Sequence, residues 1–80
     1  MFHKIRNLEV LENFVIRVSF NEGIIKTYDI KPLFGKIEIF NELKNDDLFQ
    51  KAYVAPDGHA VIWNDHIDIS SDELFNNGQI

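Results

Sequence analysis

Between Phe14 and Phe20 the chain alternates, with Phe14, Ile16, Val18 and Phe20 in one set and Val15, Arg17 and Ser19 in the other. A period of two sends successive side chains to opposite faces of a strand, and β-branched and aromatic residues suit a pleated surface. The flanking runs carry the same signal. Ile5–Leu11 is apolar-rich with partial alternation, and Ile24–Ile30 is a third strand-like run. Glu12-Asn13 and Asn21-Glu22-Gly23 separate them, since Asn tolerates and Gly readily adopts positive φ. Three strands joined by such short turns predict an antiparallel meander.

Lys31-Pro32 ends the meander, because Pro32 has no N–H to give a ladder. Leu33, Phe34, Ile37, Phe40 and Leu43 then recur at helical spacings, which predicts short helical turns. Gly35 and the branched Ile37 and Ile39 oppose one long helix. Asn45–Ala52 predicts a short helix capped by Asn45 or Asp46. Tyr53–Ala55, Ala60–Trp63 and Ile67–Ile69 read as strands, parted by the turns Pro56-Asp57-Gly58 and Asn64-Asp65. Ser70 or Ser71 caps a last helix, Asp72–Asn76, which Asn77-Gly78 ends. The expected fold class is α+β: a mostly antiparallel β-sheet with short helices on one face, in the order β-β-β-α-β-β-β-α.

Eighty residues form one domain, 1–80. A chain this short buries a small share of its surface, so its seven phenylalanines matter: each buries a large area. The chain has no cysteine, and Met1–Arg6 leads into a strand pattern without an apolar leader, so a cytoplasmic setting is expected. No apolar run reaches the length that crosses a membrane as a helix.

Eight basic and thirteen acidic side chains leave a net charge of −5. The distribution says more than the sum. Residues 46–80 carry Lys51 alone against Asp46, Asp47, Asp57, Asp65, Asp68, Asp72 and Glu73. Nucleic-acid binding draws its affinity from a basic field, so no direct nucleic-acid contact is expected. An acidic half favours solubility or a basic protein partner.

Catalytic chemistry finds little to work with. Nucleophilic catalysis pairs Ser or Cys with a His and an orienting group, but Ser19 lies mid-strand and Ser70 and Ser71 read as helix caps. Asp65-His66-x-Asp68, with Asp57 and His59 in the preceding turn, is the one cluster of metal-ligand types, and it is better read as a polar hairpin face than as a site. The four glycines are isolated, so no phosphate-binding loop is present. No catalytic residue, metal ligand or cofactor site is assigned. Trp63 and Tyr28 are the aromatics that would anchor an interface if exposed and belong to the core if buried, and the apolar run Val61-Ile62-Trp63 favours the core or half-core for Trp63.

Several landmarks fall in a familiar order: Phe20-x-x-Gly23, Tyr28-Asp29, Leu33, Phe40-x-x-Leu43, Leu48-Phe49, Val54 with Gly58, Val61-Ile62-Trp63-Asn64, and Ile67-Asp68-Ile69-Ser70-Ser71-Asp72-Glu73-Leu74. In these the chain resembles the domain of unknown function 2442 family, whose fold is named after the N-terminal domain of a Nitrosomonas protein. The resemblance runs from Ile5 to Phe75. It implies a small bacterial α+β protein without established catalytic activity. Some relatives are fused to a helix-turn-helix DNA-binding domain. Others resemble partners in toxin–antitoxin-like pairs, often encoded beside members of the domain of unknown function 4160 family. That family commonly has Pro after the Trp where this chain has Asn64, so a different turn is expected there. It offers no accepted active-site residues to carry over.

The expected function is that of a non-catalytic protein-interaction module, the acidic partner in a toxin–antitoxin-like or accessory gene pair. Trp63, Asp65, His66, Asp68, Asp72 and Glu73 are its candidate interaction residues. The alternative is a small-molecule ligand-binding or sensor domain linked to transcriptional regulation. Unpaired sheet edges also lead to the expectation of a homodimer.

Overall fold

The alternation around Val18 becomes the middle strand of a meander. The structure, a computed structural model, describes residues 3–80; Met1 and Phe2, the start of the segment expected to lack an apolar leader, lie outside the described residues. Strands β1 (Ile5–Val10), β2 (Val15–Phe20) and β3 (Ile25–Asp29) pair antiparallel in the order β1-β2-β3. Ile16, Val18 and Phe20 are fully buried, whereas Val15, Arg17 and Ser19 are half-buried. The register sets Ile16 between Val10 and Tyr28, and Val18 between Leu8 and Lys26. Lys26 therefore falls in a core-side row, and its ammonium reaches the Phe75 ring at 5.2 Å from the centroid, a contact that offsets lost hydration.

Both turns of the meander use the left-handed region. Gly23 has φ 88°, and its N–H donates to the Phe20 carbonyl at 2.9 Å. At the other turn Asn13 and Phe14 have φ of 61° and 60°. Asn adopts that conformation readily, but for Phe it is strained. Phe14 does not extend β2 as its place in the alternation suggests. Its ring instead packs edge-on against Phe34 and Phe49, at centroid separations of 5.5 and 5.3 Å.

Between β3 and β4 the chain coils. Lys31–Leu33 and Glu38–Lys44 are 3₁₀ turns, followed by α1 (Asp46–Phe49). This helix is a single turn, shorter than the expected Asn45–Ala52. Asn45 is its cap, with Oδ1 accepting from the amides of Asp47 and Leu48 at 3.0 and 3.4 Å. Phe40, Leu43 and Phe49 from this stretch are buried.

The second half forms its own sheet. Strands β4 (Tyr53–Val54), β5 (Ala60–Asn64) and β6 (Ile67–Ser70) pair antiparallel in the order β4-β5-β6. The α+β class and the order β-β-β-α-β-β-β-α hold, and the expected single sheet is corrected to two three-stranded sheets. β1 lies beside β4 without pairing to it, and its hydrogen bond to the second half goes to the Gly58 turn: the Ile5 N–H donates to the Gly58 carbonyl at 2.8 Å. A turn offers one such bond and not a ladder. Asn64 closes the β5–β6 turn, its Oδ1 accepting from the amides of His66 and Ile67 at 2.8 and 3.0 Å. Pro at that place has no side-chain acceptor to do this.

Helix α2 (Ser71–Asn77) starts at Ser70, whose Oγ accepts from the Glu73 amide at 3.1 Å. After it the chain returns along β3: Thr27 and Gln79 exchange main-chain hydrogen bonds, both 2.7 Å. Gly78 has φ −72°, so no left-handed conformation demands glycine. Space does, because a Cβ there would lie 2.5 Å from the Leu74 carbonyl oxygen and 2.9 Å from Lys26 Cβ.

One aromatic group joins the sheets, and another joins α2 to the first sheet. Phe14 of the first sheet's turn touches Phe49, and Phe49 lies against Trp63 of β5 at 5.9 Å. Trp63 Nε1 donates to the Phe49 carbonyl at 3.0 Å. At the other end Phe75 of α2 packs edge-on against Phe20 at 5.3 Å and stacks on His3 at 3.6 Å.

Gly78→Ala is expected to destabilise the protein by about 1–3 kcal/mol in urea unfolding and to speed hydrogen exchange at the Thr27 amide. An unchanged midpoint and unchanged exchange would show that the return strand shifts to make room.

Candidate interaction groove

Tyr28 sits on the core-side row of β3 and is buried, but its hydroxyl reaches α2. There it donates to Glu73 Oε2 at 2.8 Å, while Glu73 Oε1 accepts from Asn77 Nδ2 at 2.9 Å. The last strand of the meander and the final helix are thereby tied together by one carboxylate. Burial, reinforced by the hydrogen bond to Glu73 and its negative charge, pushes the Tyr28 phenol well above its ordinary value of 10.0.

The pair stands at the join of two recesses. On one side Tyr28, Leu33, Ile37, Phe40, Ile69, Ser70, Asp68 and Glu73 line a groove of about 320 Å³. Its base is apolar, built from the 3₁₀ segment and β6. Its walls carry two carboxylates and no basic side chain. The second recess, about 380 Å³, shares Tyr28, Leu33 and Glu73 and runs on past Asp29, Lys36 and Gln79. Ile37 is 44% exposed at the groove mouth, an aliphatic side chain that the fold leaves largely uncovered.

The sequence candidates part company here. Asp68 and Glu73 come together in the groove lining. Asp72 is exposed on α2 beside them. Asp65 and His66 are exposed in the β5–β6 turn and do not line the groove. Trp63 must be corrected as an interaction residue: it is 3% exposed and its N–H is already bonded, so it belongs to the core and offers no contact surface. Tyr28 is likewise buried, although it lines the groove. The spacing of Leu33, Ile37 and Phe40 predicts helical turns but not that those turns face β6.

Other chemistry gathers less. Asp57 and His59 pair within their turn, His59 Nδ1 lying 3.6 Å from Asp57 Oδ2. Among the described residues no three His, Asp or Glu side chains converge as one ion requires. Ser71 is buried, and Ser70 Oγ is occupied as a helix cap. No helix of the described residues is long and apolar enough to cross a membrane.

The Tyr28 phenol gives a pH signature. Its folded-state pKa is raised, so its contribution to stability is intact below the unfolded value of about 10 and is lost as pH rises through the folded value. Stability is therefore expected to fall above about pH 10, with a shallower fall in Tyr28→Phe. That variant should cost about 1 kcal/mol at neutral pH, because half-exposed Glu73 regains water in place of the phenol. Denaturant unfolding between pH 7 and 11 measures both; equal slopes for the two proteins would remove Tyr28 as the titrating group.

Comparison with known proteins agrees with this architecture. The crystal structure of a Nitrosomonas europaea protein described as "Putative DNA Binding Protein" matches with a TM-score of 0.80 and 20% identity, over 94% of this chain and 48% of that one. At that identity the likeness shows the fold alone, and this chain spans about half the length of the Nitrosomonas protein. Among curated proteins none matches. The family described as "Protein of unknown function (DUF2442)" matches residues 5–79, and the chain belongs to that family.

Proposed function

We propose that this chain is a non-catalytic protein-interaction module that receives a small basic protein at the groove beside β6. The observation that carries this reading is the groove's composition: an apolar base of Leu33, Ile37, Phe40 and Ile69 under a rim whose charged members, Asp68 and Glu73, are both acidic. An apolar centre excludes water and a single-signed rim steers and orients the partner. The same combination suits the acidic member of a toxin–antitoxin-like or accessory gene pair.

Charge argues against direct DNA contact by this chain, whatever the longer Nitrosomonas protein does through its remaining half. The net charge is −5. Several basic side chains are also engaged already: Arg17 with Glu9 at 2.9 Å, Lys31 with Asp29 at 2.9 Å, and Lys26 and Lys44 over the rings of Phe75 and Phe34. A second copy of the chain fits the β6 side less well than a basic partner, because antiparallel pairing there sets acid-bearing strands against each other. A small-molecule sensor is the second reading. What favours it is the groove volume of about 320 Å³, within the range of small-ligand clefts.

Affinity capture with the tagged chain from its source organism, read by quantitative mass spectrometry, tests the proposal. One small basic protein is expected to be enriched, and Asp68→Lys with Asp72→Lys, or Ile37→Glu alone, should weaken its capture by at least about tenfold. Asp46→Lys with Asp47→Lys, on α1, should leave capture unchanged. Equal capture by all variants would place the contact elsewhere and overturn the groove reading.

A further inference from the structure

Among the described residues no strand pairs with the outer side of β6, and that side borders the groove. The register pairs Ala60 with Ser70, Val61 with Ile69 and Ile62 with Asp68. The Ser71 N–H donates to the His59 carbonyl at 2.8 Å, and the Ala55 N–H to the Ala60 carbonyl at 2.9 Å. In an antiparallel ladder hydrogen-bonded and non-bonded pairs alternate. The His59 carbonyl and both polar groups of Val61 therefore turn toward β6, and Ala60 and Ile62 turn theirs toward β4. On β6 this commits the N–H and C=O of Ile69 to β5. The N–H and C=O of Asp68 and the N–H of Ser70 point away from the sheet. β6 is the last strand of its sheet, and Asp68, Ile69 and Ser70 line the groove.

From this edge, and resting on the interaction reading above, we propose that the groove takes an extended peptide segment of the partner, which adds to β6 as a further strand. The donor–acceptor–donor set of Asp68 and Ser70 supplies its main-chain hydrogen bonds. Strand addition draws affinity from the main chain and selectivity from alternate side chains. Side chains in step with Ile67 and Ile69 turn to the apolar base at Leu33, Ile37 and Phe40. Those in step with Asp68 turn to its exposed carboxylate. The recognised segment thus alternates aliphatic with Lys or Arg. The groove wall holds two carboxylates and no base to balance them, which selects a basic segment over a second copy of this acidic chain.

The test is a titration of the isotope-labelled chain, followed by NMR, with the probe peptide acetyl-Lys-Val-Lys-Ile-Lys-Val-Lys-amide. The amides of Asp68 and Ser70 and the methyls of Leu33 and Ile37 are expected to shift, and both amides to exchange more slowly. N-methylation of alternate peptide nitrogens, on the pairing side, should weaken binding by at least about tenfold, as should replacing every Lys by Glu. Equal binding of the N-methylated peptide would overturn strand addition while leaving the interaction reading intact, since apolar and ionic docking would then suffice. Shifts spread over Asp46 and Asp47 without β6 would reduce the effect to general ionic attraction and overturn it, and so would no saturable binding. Shifts at β6 that appear on concentrating the free chain, with a doubled mass by light scattering, would make a second copy the occupant. The groove reading itself falls only if the capture experiment shows no dependence on the groove.

Discussion

Phe49 joins the two halves of this protein. It is fully buried, its ring lies between Phe14 of the first sheet's turn and Trp63 of the second sheet, and its carbonyl accepts the Trp63 N–H at 3.0 Å. The bond answers two needs together. A buried indole N–H without an acceptor is costly, and α1 is a single turn whose last carbonyls lack intrahelical partners. The strain of Phe14 at positive φ belongs to the same device, because that conformation aims its ring at Phe49 rather than along β2. Two small sheets that share no ladder thus become faces of one core.

The groove follows from that arrangement. Its sides come from different halves: Tyr28, Leu33 and Phe40 from the meander and the coiled segment after it, and Asp68, Ile69 and Ser70 from β6. A single continuous sheet would bury the β6 edge or place it far from Tyr28. The split leaves β6 terminal and close to the 3₁₀ turns. The Tyr28–Glu73 bond then fixes α2 across the end of the cleft. Acidic side chains that would be mere solvated decoration on an isolated strand become the rim of an apolar depression, and this turns a charge imbalance in the sequence into a preference for a kind of partner.

Local structure was largely legible in the sequence. The alternation of β2, the Asn45 and Ser70 caps and the Gly23 and Gly58 turns all depend on neighbours within a few residues, and all appear at or within a residue or two of where the pattern puts them. The division into two sheets was not legible, since period and turn chemistry describe strands and not which strands meet. Gly78 is a similar case: its place after a helix reads as an ordinary stop, whereas its need for glycine comes from the approach of Lys26 and the Leu74 carbonyl. Of the candidate interaction residues, Asp68 and Glu73 reach the groove because both follow strand and helix geometry already visible in the pattern. Trp63 does not, because its apolar strand Val61-Ile62-Trp63 turns it into the core, as that run favours. Leu33 and Ile37 went unrecognised because only the fold says what a 3₁₀ turn faces.

The claim on which the groove depends is that the two sheets form one cooperative body through Phe49. Native-state hydrogen exchange by NMR across low denaturant concentrations tests it most directly, by comparing the opening free energies of amides in β2 with those in β5. One body predicts that the slowest amides of both strands converge on the same global unfolding free energy. A β5 set that opens at a free energy lower by more than about 1 kcal/mol would show that the second sheet opens by itself, and the groove would then lose its fixed wall.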